Sequence, residues 1–371
     1  MDTIGLYIHI PFCAKKCNYC DFYSMNATEA HYSEYINTLI KSFAFWSGKL
    51  KNRKVDTVYI GGGTPSLLGT DRLLVLLDSI YSCFNVTSGA EITIEVNPNS
   101  TDSLAFSSLK NSGVNRISIG LQSANDDELR ILGRLHTLAD VCSSIDSIKK
   151  AGIDNYSLDV MMGIPLQTMD SLNRTLEFCV NAETKHISTY ILKIEKNTLF
   201  YKNSDKYVFA DEDTQADMYE HTCKFLSQNG FRHYEISNFC IDDKISKHNM
   251  KYWSLDDYVG IGPSAHSMLN GKRFYYPKSI QEFKDNKFIF ESEGKTPEEY
   301  LMLSLRTDLG FDFKKCKELF GLSVTDELLS EAKKLEKLGL LRILNDSIIL
   351  TEQGFLVSNS VIGLLLSKGI G

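Results

Sequence analysis

The strongest constraint in this sequence is an alternation. Seven short runs, Leu6–Ile10, Val55–Ile60, Glu91–Val96, Arg116–Leu121, Asn155–Met161, His186–Ile194 and His233–Ile236, are rich in β-branched or aromatic residues. Each is bounded by Gly, Pro, Asn or Asp, the signature of a strand. Stretches of helical periodicity lie between them. Asp71–Phe84 carries Leu73, Leu74, Leu77, Ile80 and Tyr81 on one face. Asp102–Asn111, Ala139–Ala151 and Asp213–Asn229 each run into a glycine (Gly113, Gly152 and Gly230), the residue that closes a helix in a left-handed conformation. Strand–helix alternation repeated this often implies an α/β fold of parallel strands joined by crossover helices, either a barrel or an open doubly wound sheet. Beyond about residue 290 the pattern changes. Pro297–Leu305, Phe313–Leu319 and Thr325–Lys337 read as helices, and Leu340–Leu344 with Ser347–Leu350 as a hairpin around Asn345 and Asp346. That is the outline of a small winged-helix-like α+β domain.

Composition narrows the function. The chain has 371 residues, 43% of them apolar, enough for a large core. Forty basic against 47 acidic residues leave a net charge of −7, which argues against a nucleic-acid partner and favours a packing or lid role for the winged-helix-like module. No apolar run approaches the ~18 residues of a membrane-spanning helix. Ile4–Phe12 is a poor signal-peptide core, since it follows Asp2, contains His9 and Pro11 and runs into Cys13. We therefore expect a cytoplasmic, reducing location in which the nine cysteines are free thiols or ligands. Cys83, Cys142, Cys179, Cys223, Cys240 and Cys316 are scattered and read as small buried hydrophobes. Cys13, Cys17 and Cys20 are not scattered: they form C-x3-C-x2-C in the loop leaving the first strand. Three thiolates on one tight loop can hold three irons of a cubane cluster and leave the fourth iron open. The competing reading is structural zinc, which needs a fourth ligand; His9 is nearest but lacks zinc spacing.

In barrels of this kind chemistry collects where strands end. After the second strand stands Gly61-Gly62-Gly63-Thr64-Pro65, where glycines let backbone approach a ligand. Neither a phosphate loop nor a dinucleotide fingerprint follows. The third strand ends with Glu95, the fourth with Gln122, and the fifth carries Asp159 among apolar neighbours. Each alone could be a satisfied structural contact. Four such features at successive strand ends, beside the cysteine loop, outline one cavity. Arg134 follows Gly133 and reads equally well as an exposed helix-end cation.

The run Tyr7-Ile-His-Ile-Pro-Phe-Cys13-x3-Cys17-x-Tyr19-Cys20 resembles the opening signature of the radical S-adenosylmethionine superfamily. It is most similar to the branch that contains oxygen-independent coproporphyrinogen III oxidase and the related heme chaperones, and the resemblance covers nearly the whole chain. It implies a partial (β/α)6-type, TIM-like barrel over residues 1–235, a connecting segment at the barrel mouth over 236–290 and a small C-terminal domain over 291–371. It also implies a [4Fe–4S] cluster on Cys13, Cys17 and Cys20, with S-adenosylmethionine chelating the open iron. By the same resemblance Gly62, Gly63 and Thr64 contact the methionine amino group. Glu95 and Asp159 hold the nucleoside, Gln122 and Arg134 contact the sugar or the methionine carboxylate, and Tyr7 packs near the cofactor.

Within that branch three features favour a heme chaperone over the oxidase. The oxidase motif continues to a fourth cysteine, where this chain has Phe22; the oxidase has an N-terminal extension, whereas twelve residues precede Cys13 here; and Lys247-His248-Asn249-Met250-Lys251-Tyr252-Trp253 matches the H-N-x-x-Y-W motif of the chaperones. The resemblance implies heme as a ligand and an acceptor for it, such as a membrane-bound respiratory heme protein. A neutral imidazole is a good axial ligand for heme iron, so His248 is the expected ligand, with Tyr252 and Trp253 as stacking surface. A structural histidine with packing aromatics is the plainer reading, and His266 and Cys240 are further candidates. The alternative function is coproporphyrinogen III oxidation by radical decarboxylation.

Overall fold

The computed structural model describes residues 3–101 and 104–370. Its centre is a set of six parallel strands in chain order: β1 (Thr3–Ile10), β2 (Lys54–Gly62), β3 (Asn85–Val96), β4 (Arg116–Gln122), β5 (Tyr156–Met162) and β6 (His186–Ile191). Crossovers run through α1 (Glu29–Lys49), α2 (Gly69–Cys83), α3 (Phe106–Asn111), α4 (Asp126–Leu132), α5 (Leu138–Lys150) and α6 (Met169–Asn181). This is the expected (β/α)6 arrangement. Both edges are extended. A hairpin of β7 (Arg232–Glu235) and β8 (Asn238–Cys240) adds antiparallel to β6. On the other side β9 (Tyr258–Ile261) lies parallel to β1, followed by the antiparallel β10 (His266–Leu269), β11 (Lys272–Tyr275) and β12 (Ile289–Glu293).

Strand periodicity explains where the core lies. Leu6, Ile8, Val58, Ile60, Ile94, Ile117, Ile119, Leu158, Val160 and Ile187 are wholly buried on the helix-facing side of the sheet. They share one hydrophobic core with Leu39 and Phe43 of α1 and Leu73, Leu77 and Ile80 of α2. The other face carries the alternate residues, and the register brings them into rows. Gly5 pairs with Thr57 and Thr57 with Glu91; Tyr7 pairs with Tyr59, Tyr59 with Thr93 and Thr93 with Arg116. Glu95 pairs with Ser118, Ser118 with Ser157 and Ser157 with His186, while Asp159 pairs with Ser188. An ordinary barrel fills this space with layers of Val, Ile and Leu. Here the lining is hydroxyls, carboxylates and a guanidinium, so the interior is built to hold something polar.

Several elements differ from the expected ones. The third crossover helix begins at Phe106 instead of Asp102, and residues 102 and 103 lie outside those described. The sixth strand stops at Ile191, three residues early, before the loop from Leu192 turns over the mouth. Helix α1 was not among the expected helices, although Tyr32, Tyr35, Ile36, Leu39, Phe43 and Trp46 form its buried stripe. The C-terminal module contains the three helices and the hairpin. It adds a strand at Phe311–Asp312 and a last helix, Ser358–Leu366, whose Val361, Ile362 and Leu365 enter the shared core. No helix among the described residues is long and apolar enough to cross a membrane.

Glu235 marks the seam between the sheet and this module. It is fully buried at the end of β7, bridges to Thr307, and accepts hydrogen bonds from the Ser237 amide and the Asn238 side chain. Burial pushes its carboxyl up to about 7 despite those donors. An acid whose folded pKa is raised binds more protons folded than unfolded, so its effect costs stability as pH rises from its usual value near 4.5 through about 7. Urea-unfolding midpoints measured across that window are expected to fall with pH in the parent chain and to flatten in Glu235→Gln.

Candidate cofactor site at the barrel mouth

The cysteine loop is pinned before any metal arrives. The amide of Cys13 donates to Met25 O at 3.0 Å and that of Met25 to Pro11 O at 2.7 Å, so the loop closes on itself. Asn18 ties its far side to α4 through Leu132 O at 2.9 Å and Ile131 O at 2.8 Å. The segment after β2 docks against its base: Gly63 N donates to Ile10 O at 2.8 Å and Thr64 N to Phe12 O at 2.7 Å. A β-carbon on Gly63 would sit 2.6 Å from Phe12 O, so only glycine permits this approach. Gly62 has φ +114°, and a β-carbon there would collide with the His9 ring.

The thiols sit in a setting suited to an iron–sulfur cluster. Burial pushes the Cys20 thiol up to about 11, and the nearby Cys17 and Cys13 thiols raise it further while the Phe22 amide opposes them. A thiol held in its neutral form in this way becomes a ligand when a metal displaces its proton. The Thr64 hydroxyl donates to Cys13 Sγ and the Arg134 guanidinium to Cys17 Sγ, both at 3.7 Å. Among the described residues no three His, Cys, Asp or Glu side chains close around a single ion. A cubane spreads its cysteines over three different irons, so the donor set fits a cluster better than zinc.

One cavity of about 560 Å³ joins this loop to the strand ends. Its wall includes Cys13, Cys17, Cys20, Gly62, Gly63, Thr64, Glu95, Gln122, Arg134 and Asp159. Glu95 faces it while accepting from Tyr59 Oη at 2.8 Å and from the Gly62 amide at 2.9 Å. Asp159 accepts from Ser118 Oγ at 3.3 Å. Burial raises the pKa of both carboxyls, and these hydrogen bonds partly offset it. Gln122 reaches the wall through a β-bulge: two residues of β4, Gly120 and Leu121, stand opposite Asp159 alone on β5, and Gln122 adopts φ +68°. Arg134 is no exposed helix-end cation. Its guanidinium also donates to Asn97 Oδ1 and Gly120 O, each at 2.8 Å. Asn97, Ser118, Tyr190 and Lys193 share the wall and were not singled out in the sequence. They lie on or just after β3, β4 and β6, where the inward direction depends on the register.

Tyr7 and His248 lie elsewhere. Tyr7 is below the cavity, its hydroxyl bonded to His9 Nδ1 at 2.9 Å. His248 is 1% exposed and sits beside Gly5 and Thr57, at the end of β1 and β2 away from the cysteines. Both ring nitrogens are engaged, Nδ1 with Thr57 Oγ1 at 2.8 Å and Nε2 with Tyr252 Oη at 2.9 Å. The H-N-x-x-Y-W segment is a short helix, Lys247–Trp253, that plugs the barrel floor and not its mouth. His266 is half-exposed on β10, paired with Glu291 at 3.5 Å and stacked on Tyr275; Cys240 is buried in β8.

Residues 7–179 match the model of the radical SAM superfamily, and 295–357 match that of the HemN C-terminal domain. The heme chaperone HemW of Bacillus subtilis is 34% identical over 98% of this chain and 99% of its own length. The chain belongs to the HemW family. The Escherichia coli HemW is 36% identical over 72% of the chain and 71% of its own length. The fold is likewise that of the solved coproporphyrinogen III oxidase HemN from Escherichia coli, with a TM-score of 0.83 over 98% of this chain and 90% of that one, at 22% identity. Membership in the radical SAM superfamily implies a [4Fe–4S] cluster and S-adenosylmethionine, and the cavity just described fits both. For this HemW-family chain, alanine at Cys13, Cys17 or Cys20 is expected to abolish the visible iron–sulfur absorption after anaerobic reconstitution. Alanine at Cys142 or Cys240 should leave the iron content unchanged.

Proposed function

We propose that this chain is a heme chaperone: it binds heme and passes it to an acceptor protein while holding the cluster and S-adenosylmethionine in the barrel cavity. The reading rests on the near-full-length identity to HemW of Bacillus subtilis. Phe22, at the position of the oxidase's fourth cysteine, supports it against coproporphyrinogen oxidation. The cluster and S-adenosylmethionine supply one-electron chemistry at an open iron when bound. The protein's part is binding and exclusion. Gly62, Gly63 and Thr64 offer backbone groups and a hydroxyl, Glu95 and Asp159 offer acceptors for sugar hydroxyls, and Gln122 and Arg134 offer donors for a carboxylate. In this scheme residues 1–235 carry the cofactors, 236–290 close the floor and extend the sheet, and 291–371 pack alongside.

We place the heme at the rim of the mouth. Phe22 is 70% exposed there, with Tyr190 and Ile191 exposed on the same cavity wall. Lys15, Lys16 and Lys193 line it too and complement the two propionates of a porphyrin. Axial ligation by His248 would require its bonds to Thr57 and Tyr252 to open. The acceptor we propose is a membrane-bound respiratory heme protein, approached from the cytoplasm. Heme titration is expected to give a saturable Soret shift, weakened about tenfold or more in a Phe22→Asp, Lys193→Glu variant that loses one apolar face and one cation. Anaerobic turnover of coproporphyrinogen III by the reconstituted protein would overturn the chaperone reading in favour of the oxidase.

A further inference from the structure

The H-N-x-x-Y-W helix makes a second connection, upward through the barrel. Its first amides, Lys247 N and His248 N, both donate to the Glu91 carboxylate at 3.0 Å, and Lys251 pairs with Asp56 at 2.9 Å. The helix fits only because position 5 is glycine: a β-carbon there would stand 2.9 Å from Lys251 Cδ and 3.1 Å from His248 Cε1. Held on both ring nitrogens, the His248 imidazole lies almost parallel to the Tyr59 ring, with centroids 5.4 Å apart at 28°. Tyr59 Oη donates to Glu95 Oε1 at 2.8 Å, and Glu95 Oε2 accepts from Gly62 N at 2.9 Å. Gly61 keeps this column open, since a β-carbon there would overlap both the Glu95 carboxyl and the Tyr59 ring. The column therefore runs without a gap from the barrel floor to the glycine segment at the cavity wall.

We infer that His248 is a positioning residue for the S-adenosylmethionine site: it seats Tyr59, Tyr59 aims the Glu95 carboxylate, and Glu95 fixes the backbone of Gly62. The inference builds on the assignment of the cavity to S-adenosylmethionine. It gives the chaperone motif a role in the cofactor cavity that needs no contact with iron. The ring of Tyr59 is flanked by His248 and, at 6.2 Å, by Tyr7, and its hydroxyl is anchored at the far end on Glu95. The Tyr59 hydroxyl also supports the ionised form of a carboxyl that burial pushes toward protonation. Losing the Tyr59 hydroxyl, or its aim, leaves a buried carboxylate short of a donor.

The test is equilibrium S-adenosylmethionine binding to anaerobically reconstituted full-length protein, with heme titration in parallel. His248→Ala should weaken S-adenosylmethionine about tenfold, with iron content unchanged and heme affinity within about twofold of the parent. Tyr59→Phe keeps the ring and removes the hydroxyl; it should weaken binding similarly, and the double variant should be no weaker than either single one, as expected for links of one chain. His248→Gln, which can still bond Thr57 or Tyr252, should recover part of the affinity. If His248→Ala does not fold, the Tyr59→Phe and His248→Gln pair decides: parent-like S-adenosylmethionine affinity in Tyr59→Phe overturns the proposal. Additive losses in the double variant, or a loss of heme affinity with S-adenosylmethionine affinity intact, overturn it as well. Failure of the parent protein to bind S-adenosylmethionine would overturn the cavity assignment itself, and this proposal with it.

Discussion

Everything in this molecule depends on polar groups facing inward from a parallel sheet. Burying Glu91, Glu95, Asp159 and Arg116 between strands is costly unless each finds partners. The three carboxylates do: Glu91 receives two helix amides, Glu95 a phenol and an amide, and Asp159 a serine hydroxyl, while Arg116 has the charges of Glu91 and Asp159 near it. The outer, helix-facing layer of aliphatic side chains offsets that cost with continuous apolar burial. The division follows from strand geometry, since successive side chains point to opposite faces. One face can therefore be spent on stability and the other on a ligand.

The cysteine loop is held by a separate set of contacts. A loop that presents three sulfurs must be ordered without help from the sheet ladder. Here the Gly63 and Thr64 amides bind the chain leaving β1, and Asn18 binds the end of α4. Arg134 then links three elements, since its guanidinium reaches the loop at Cys17, the end of β3 at Asn97 and the bulge of β4 at Gly120. Hydrogen bonds to cysteine sulfur and charge near a cluster are the levers by which a protein sets its potential. Arg134 and Thr64 supply both kinds of contact.

Much of the fold could be read from the sequence because the signals were local. The strand runs from Leu6 to His186 and the capped helices between them repeat over windows of about ten residues, within which backbone preference and burial agree. The cysteine spacing, the glycine segment and the carboxylates at Glu95 and Asp159 were legible for the same reason. Helix α1 carried a clear stripe that the strand–helix punctuation did not mark. The four short strands β9–β12 carried none, since four or five residues give too few alternations to distinguish an edge strand from a turn.

The sequence by itself determined the alternation of strands and helices, the C-x3-C-x2-C spacing and the presence of a second, smaller module, because each is written in neighbouring residues. Only the tertiary structure decided where the isolated motifs went. His248 meets Thr57 across 191 positions, and Arg134 meets Cys17 across 117. Such pairings are set by how helices seat against the sheet and by a bulge that turns Gln122 inward, neither of which short-range spacing encodes. A histidine that reads as an iron ligand in a loop is, once the chain is folded, the buried floor beneath the cofactor cavity.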